Sequence, residues 1–203
     1  MEEIAFQARG EKKIDQRSGI SQRLSISCME NVISNAERRA IRNGEALVVP
    51  RISDIHAATP ALTGKFELEY EGEMKGADHV ARELIRTAIG RVYTRHLDGQ
   101  NVQGIVQWFD LGGTLKVLES STSRDLFEQL RKVTGLVERL AALGVKEQDD
   151  PAILVSAAEF VLEGLYSHRR ISRSEERGYT AEEKKREMPV RDDFMNRYRK
   201  PLN

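Results

Sequence analysis

Apolar residues recur at three- and four-residue steps over most of this chain, a pattern that predicts helices separated by glycine- and proline-marked turns. The first strong run covers residues 24 to 42. Ile26, Met29, Val32, Ile33, Ala36, Ala40 and Ile41 form its apolar stripe, and Glu30, Glu37, Arg38, Arg39 and Arg42 avoid it. Asn43-Gly44 ends the run, as residues able to take positive φ do. Pro50 opens a short helix through Ile52, Ile55 and Ala58, which Pro60 ends or bends. A second long helix follows Gly76, with Val80, Leu84, Ile85, Ala88, Ile89 and Val92 on its apolar face. Ser123 is the expected N-cap of one long helix through Leu126, Phe127, Leu130, Val133, Val137 and Leu140, stopped by Gly144. Asp150-Pro151 starts another, carried by Leu154, Ala157, Ala158, Val161 and Leu165.

Four stretches depart from the helical period. Residues 1 to 18 are charged and weakly patterned, and are expected to form an extended lead-in. Between residues 64 and 76, Phe66, Leu68 and Tyr70 alternate with Glu67, Glu69 and Glu71, the period-two pattern of a half-buried strand or extended segment. Ile105-Val106-Gln107-Trp108-Phe109 fits either a strand or the apolar head of a helix. After Tyr166 the apolar pattern fails, and residues 169 to 203 are expected to be a charged, flexible tail or a marginal helix. The fold class that follows is mainly α, with at most one or two short strands.

Composition narrows the functional classes. Hydrophobic residues make up 39% of the chain and charged residues 32%, which suits a polar, helix-rich protein. Lys+Arg and Asp+Glu balance at 32 each, so no overall bias favours nucleic acid or an anionic membrane. The balance is uneven along the chain: from residue 168 to 203, eleven Lys and Arg stand against seven Asp and Glu. Cys28, the single cysteine, allows no intrachain disulfide, and its place in the first helical run predicts a buried, inert thiol. Met1-Glu2-Glu3-Ile4-Ala5-Phe6 is not a signal peptide, and no apolar run is long enough to cross a bilayer. A cytoplasmic protein is expected.

The sequence lacks the parts that bind and split a nucleoside triphosphate. A P-loop needs a glycine, four residues, Gly-Lys and then Ser or Thr, so that backbone and lysine wrap the phosphates and the hydroxyl holds magnesium. Gly64-Lys65 is followed by Phe66, and Thr59 occupies the first glycine position. No apolar strand ends in an Asp-Glu pair. Yet Gly19, Ser21 and Arg23, then the helical run, Asn43-Gly44-Glu45, and Val49-Pro50-Arg51-Ile52-Ser53-Asp54-Ile55 follow one another in an order that resembles the lid of AAA+ ATPases. The resemblance is to the MoxR and magnesium-chelatase I-subunit group. It covers residues 15 to 64, and departs from the usual MoxR pattern in having Gln22, not proline, before the arginine. Residues 65 to 168, including Trp108-Phe109 and residues 159 to 165, resemble the C-terminal extension of magnesium-chelatase-like or sigma-54-interacting ATPases.

The resemblance implies four segments: a lead-in at 1–18, a helical lid at 19–64, a helical extension at 65–168 and the tail at 169–203. It implies that Arg23 is the sensor 2 arginine touching nucleotide phosphates, a role suited to a permanently charged planar fork. Gly19 would permit the turn before it and Ser21 would cap the helix. ATP and magnesium would be cofactors of the full-length protein, with none expected for this chain alone. The implied partners are a nucleotide-binding domain upstream of Met1, a homo-oligomeric ring, commonly a hexamer, and a protein that the lid remodels.

Other constellations point elsewhere. A free-standing helical module over residues 23 to 58 would present Arg38, Arg39, Arg42 and Arg51 to a protein or nucleic acid. Glu67, Glu69, Glu71 and Glu73 form an acidic strip of the kind that can hold a cation, although solvated carboxylates are commoner. His56, His79, His96 and His168 show no zinc spacing, and Ser120, Ser121 and Ser123 lack a nucleophile context. The basic start of the tail, from His168 to Arg173, is diluted by Glu175, Glu176, Glu182, Glu183 and Glu187, which argues against nucleic acid. Trp108-Phe109 is expected to pack in the core.

Overall fold

A computed structural model of the chain describes residues 1–18, 20, 23–174 and 176–182. It is mainly helical, with ten α-helices, a short 3-10 turn and one two-stranded antiparallel sheet among the described residues. No helix there is long and apolar enough to cross a membrane.

The first ten residues fold as helix α1 (Glu2–Gly10), not as an extended lead-in. Ile4, Ala5 and Ala8 bury one face of this two-turn helix. Two of the three are alanines, so the stripe is real but too small to stand out by hydrophobicity. Glu2 and Glu3 at its start and Arg9 at its end suit the helix dipole.

Helix α2 (Arg23–Asn43) has nearly the boundaries its period predicts, and Val32, Ala36 and Ala40 of the expected stripe are buried, but the rest of the inward ridge differs. The inward ridge runs in steps of four through Leu24, Cys28, Val32, Ala36 and Ala40. Ile26, Met29, Ile33 and Ile41, expected in the stripe, are exposed. Gly44 then takes φ 66° and ends the helix. Helix α3 (Ile52–Ala57) follows Pro50, and the chain bends at Ala58 into α4 (Thr59–Thr63), with Pro60 in the first turn, where its missing N–H costs nothing.

The alternating segment is a strand only in part. Leu68 forms a single antiparallel bridge with Ile14, through Asp15 N–H to Glu67 O and Glu69 N–H to Lys13 O, each 2.9 Å. Helix α5 (Tyr70–Lys75) then begins, and Tyr70 points to solvent. Helix α6 (Ala77–Leu97) is the longest shared element. Ala81, Ile85, Ala88 and Ile89 pack with Leu24, Ile52 and Leu62, while Tyr93 and Leu97 at its other end join a second cluster with Ile105, Phe109, Leu126 and Leu162. The two readings open for residues 105 to 109 resolve as a helix, α7 (Gln103–Asp110), in which Ile105 and Phe109 are buried. Trp108 packs edge-on against Phe109, with centroids 5.0 Å apart, at the margin of that core.

The single long helix expected from Ser123 to Leu140 is broken in two, α8 (Ser123–Leu130) and α9 (Leu136–Leu140). Gly135 takes φ 80° between them, after the β-branched pair Val133-Thr134. Thr122, not Ser123, is the N-cap of α8: its Oγ1 accepts from Asp125 N–H at 3.1 Å. Helix α10 (Pro151–Ser167) starts as predicted, with Asp150 Oδ1 accepting from Ala152 N–H at 2.8 Å. Within the segment expected to be the tail, β1 (Ile171–Ser174) and β2 (Gly178–Ala181) instead pair antiparallel as a hairpin. Ile171 and Tyr179 anchor it in the core, and Tyr179 pairs with Leu115 across a further bridge. Residues 183–203, the rest of that segment, lie outside the described residues.

Candidate functional site

Arg23 is the first residue of α2 and its side chain is exposed. Gly19 and Ser21, the other two residues expected beside it, lie outside the described residues. At 1.5 Å per residue the 21 residues of α2 carry the axis about 30 Å from Arg23 to Asn43.

The far end of α2 is fixed by a cluster of buried charges that sequence reading did not assemble. Arg39 donates to both carboxylate oxygens of Asp54, 3.2 Å from Nε to Oδ1 and 2.9 Å from Nη2 to Oδ2. It also reaches Glu45 Oε2 at 3.2 Å and the carbonyl of Val49 at 2.7 Å. Asp54 Oδ2 accepts the Arg51 backbone N–H at 2.8 Å, tying the start of α3 to the same carboxylate. Glu45 is the hub: its Oε1 accepts from Ser123 N–H at 2.6 Å and from Arg51 Nη2 at 3.3 Å. Arg51 Nη2 donates to Ser123 Oγ as well. Asn43 adds Nδ2 bonds to the carbonyls of Glu119 at 2.9 Å and Ser121 at 3.1 Å. The ends of α2 and α3 are thereby locked to the start of α8.

Glu159 completes this cluster from α10. It is buried, its Oε2 accepts from Ser53 N–H at 3.4 Å, and its Oε1 lies 4.0 Å from Arg51 Nε. Burial, only partly offset by the Arg51 charge, raises its carboxyl from the ordinary 4.5 to about 7. Burial also lowers the Arg51 guanidinium, against the pull of Glu159 and Glu45.

One turn along α10, Glu163 serves a second cluster. Oε2 accepts from Arg173 Nη1 at 2.6 Å and from the Tyr179 hydroxyl at 2.7 Å, so both strands of the hairpin hang on this carboxylate. His56 Nε2 lies 3.2 Å from Glu163 Oε1 and 3.1 Å from Arg173 Nη1. That nitrogen can donate to the carboxylate or accept from the guanidinium, but not both at once. Burial pushes Glu163 up, but the bond from His56 and the charge of Arg173 outweigh it, and the group titrates below the ordinary range. Burial, then the Glu163 charge, push the Tyr179 phenol well up. These groups wall a cleft of about 620 Å³ that is rimmed by Arg82, Arg86 and Lys116.

Both Glu163 oxygens are engaged by their neighbours. The chemistry of this donor set is electrostatic anchoring. The Glu67–Glu73 strip is divided between the extended segment and α5, and no group of three His, Cys, Asp or Glu placed to hold a metal ion occurs among the described residues. Cys28 is buried, and burial pushes its thiol up, which leaves it inert. One signal could have found the missed residues: Glu159 and Glu163 stand four apart inside an otherwise apolar helical run, hence on one face, where carboxylates require partners. No protein-family model, curated protein or solved structure matches the chain.

Proposed function

We propose that this chain is the nucleotide-sensing lid and coupling portion of an AAA+ ATPase of the magnesium-chelatase-like group. The single observation that supports this most is the asymmetry of α2. An exposed arginine opens the helix, and a buried charge network about 30 Å away fixes its other end to α3, α8 and α10. A helix held this way is a stiff strut: a pull on Arg23 turns the elements bound to Asn43 and Glu45. In the full-length protein a separate P-loop domain supplies ATP and magnesium, Arg23 reads the phosphate state, and the extension from α5 to the hairpin passes the movement to a protein partner. The subunits assemble in a ring, commonly of six. Alone, the chain is inactive as an ATPase.

The competing free-standing module is less well supported. Of the four arginines it would present, Arg39 and Arg51 are buried in the ion network and cannot reach a partner.

The decisive experiment is ATP turnover and ATP-dependent assembly of the full-length open reading frame, intact and as Arg23→Ala, beside this chain alone. A silent chain, and a variant at least tenfold slower or unable to assemble with ATP, uphold the proposal. Turnover and assembly unchanged by Arg23→Ala would sink the sensor role.

A further inference from the structure

An open trough of about 820 Å³ runs between α1, α6 and the end of α10. Its floor is polar. Gly90 lies so close to Ser167 that any β-carbon there would strike the hydroxyl, so the two helices nearly touch along the base. Thr94 Oγ1 donates to Gly90 O at 3.0 Å, and His168 Nε2 stands 3.1 Å from that hydroxyl and 3.2 Å from the same carbonyl.

Its walls are cationic. Arg95 is engaged by Glu3 at 3.0 Å, and Glu3 also accepts from Gln7 at 2.7 Å, so this one lining carboxylate is already satisfied. Arg86, Arg91 and Arg169 make no ion pair or side-chain hydrogen bond through their guanidinium groups among the described residues, although the Arg91 charge acts on Glu3 through space. Arg169 is unusual in its backbone too. It sits at φ 57°, the one non-glycine at positive φ among the described residues, in the position after α10 where glycine is customary. Arg170 N–H to Leu165 O and Arg169 N–H to Tyr166 O close the turn around it. An arginine held in this conformation is strained relative to glycine, and such outliers gather at functional sites. At the rim Phe6, on α1, exposes 63% of its surface beside Arg86 and Arg91.

We propose that this trough binds single-stranded nucleic acid, with phosphates on Arg86, Arg91 and Arg169 and a base stacked on Phe6. Guanidinium forks match phosphate oxygens, and a basic groove beside an exposed aromatic is how strands are held without sequence preference. An acidic peptide would use the arginines but leave Phe6 idle. A lone nucleotide would be poorly enclosed by a trough open along its length. Arg86 also lines the cleft beside Lys116, so the strand continues past it in that direction. The whole-chain charge balance hid this surface: Arg86 and Arg91 lie on α6, but the fold brings Arg169 and Phe6 beside them from elsewhere in the chain. The inference is independent of the lid assignment.

The test is fluorescence anisotropy of labelled dT15 with the 203-residue chain at 50 and 200 mM salt. With three arginines on phosphates, the affinity falls about twenty-fold between those salts. The double variant Arg86→Ala, Arg91→Ala weakens binding at least tenfold, and Phe6→Ala about fivefold or more. Arg169→Gly also weakens it while raising the melting temperature, because the strain is relieved. Thermal melts of all variants establish that they fold. Absence of dT15 binding, or unchanged binding in any of these folded variants, overturns the proposal. So does displacement of dT15 by poly-glutamate of equal charge together with indifference to Phe6→Ala, which would assign the trough to an acidic protein.

Discussion

Glu159 and Glu163 lie on one face of α10, one turn apart, yet their surroundings drive them in opposite directions. Glu159 faces Arg51 across 4.0 Å without a direct bond, so burial dominates and its carboxyl rises to about 7. Glu163 is held by Arg173, Tyr179 and His56, and falls. The signs follow from linkage. A carboxyl raised in the folded state takes up a proton on folding, so its contribution is largest when protonated and declines as pH rises from about 4.5 to 7. A lowered one contributes above its unfolded value and is lost as pH falls through its folded value. Glu159→Gln is therefore expected to flatten the decline in stability between pH 5 and 7, a difference of at most about 3 kcal/mol, read from urea midpoints across that range. A variant with the same pH slope as the native chain would refute the assignment. The identities of these residues were visible in the sequence as two carboxylates interrupting an apolar run. Their partners were not, since His56 and Tyr179 stand 107 residues before and 16 after Glu163.

Among the elements, legibility followed the strength of local chemistry. Helix α10 announced itself through Asp150-Pro151, and α6 through six apolar residues in register. Elements set by distant contacts were read less well. The inward face of α2 was read only in part: Val32, Ala36 and Ala40 were placed on it, but Leu24 and Cys28 were left out of the stripe because larger apolar residues, Ile26, Met29, Ile33 and Ile41, face outward. The hairpin was missed because Arg173 and Tyr179 are drawn inward by one carboxylate, not by an apolar stripe. The crossing of α6 and α10 shows the same dependence on partners. Gly164 lies under the ring of Tyr93, and Gly90 under Ser167, so each helix offers a glycine to a side chain of the other. Gly164→Ala is expected to force the Tyr93 ring aside and cost about 1–3 kcal/mol, despite alanine's better helix propensity. A melting temperature equal to or above that of the native chain would contradict this packing.

Across the whole molecule, the strut formed by α2 separates a structural end from an exposed one, and stability measurements can tell them apart. Glu45→Ala removes the hub joining α2, α3 and α8 and leaves Arg51 without a bonded carboxylate, while Arg39 keeps Asp54, so a loss of about 3 kcal/mol is expected. Arg23→Ala, at the exposed end, is expected to change stability by less than about 1 kcal/mol. Equal costs at both ends, in the same urea titration, would remove the distinction on which the coupling role rests. The order of residues that suggested a lid was readable because it is local. The joint that makes it a strut was not, because Ser123 and Glu159 reach it from other parts of the chain.

The hairpin's hold on Glu163 also bears on how the chain comes off the ribosome. The partners of Glu159 in the ion network, Arg51 and Ser53, are made long before it and can await its arrival. Two of the three side chains that satisfy Glu163, Arg173 and Tyr179, are made after it. Until residue 173 has emerged, docking α10 buries a carboxylate with His56 as its sole side-chain partner, and until residue 179 it lacks the Tyr179 hydroxyl. The final packing of this core therefore waits on one of the last described residues to be synthesised, and a nascent chain stalled just short of it would carry every described helix and still lack its closed core.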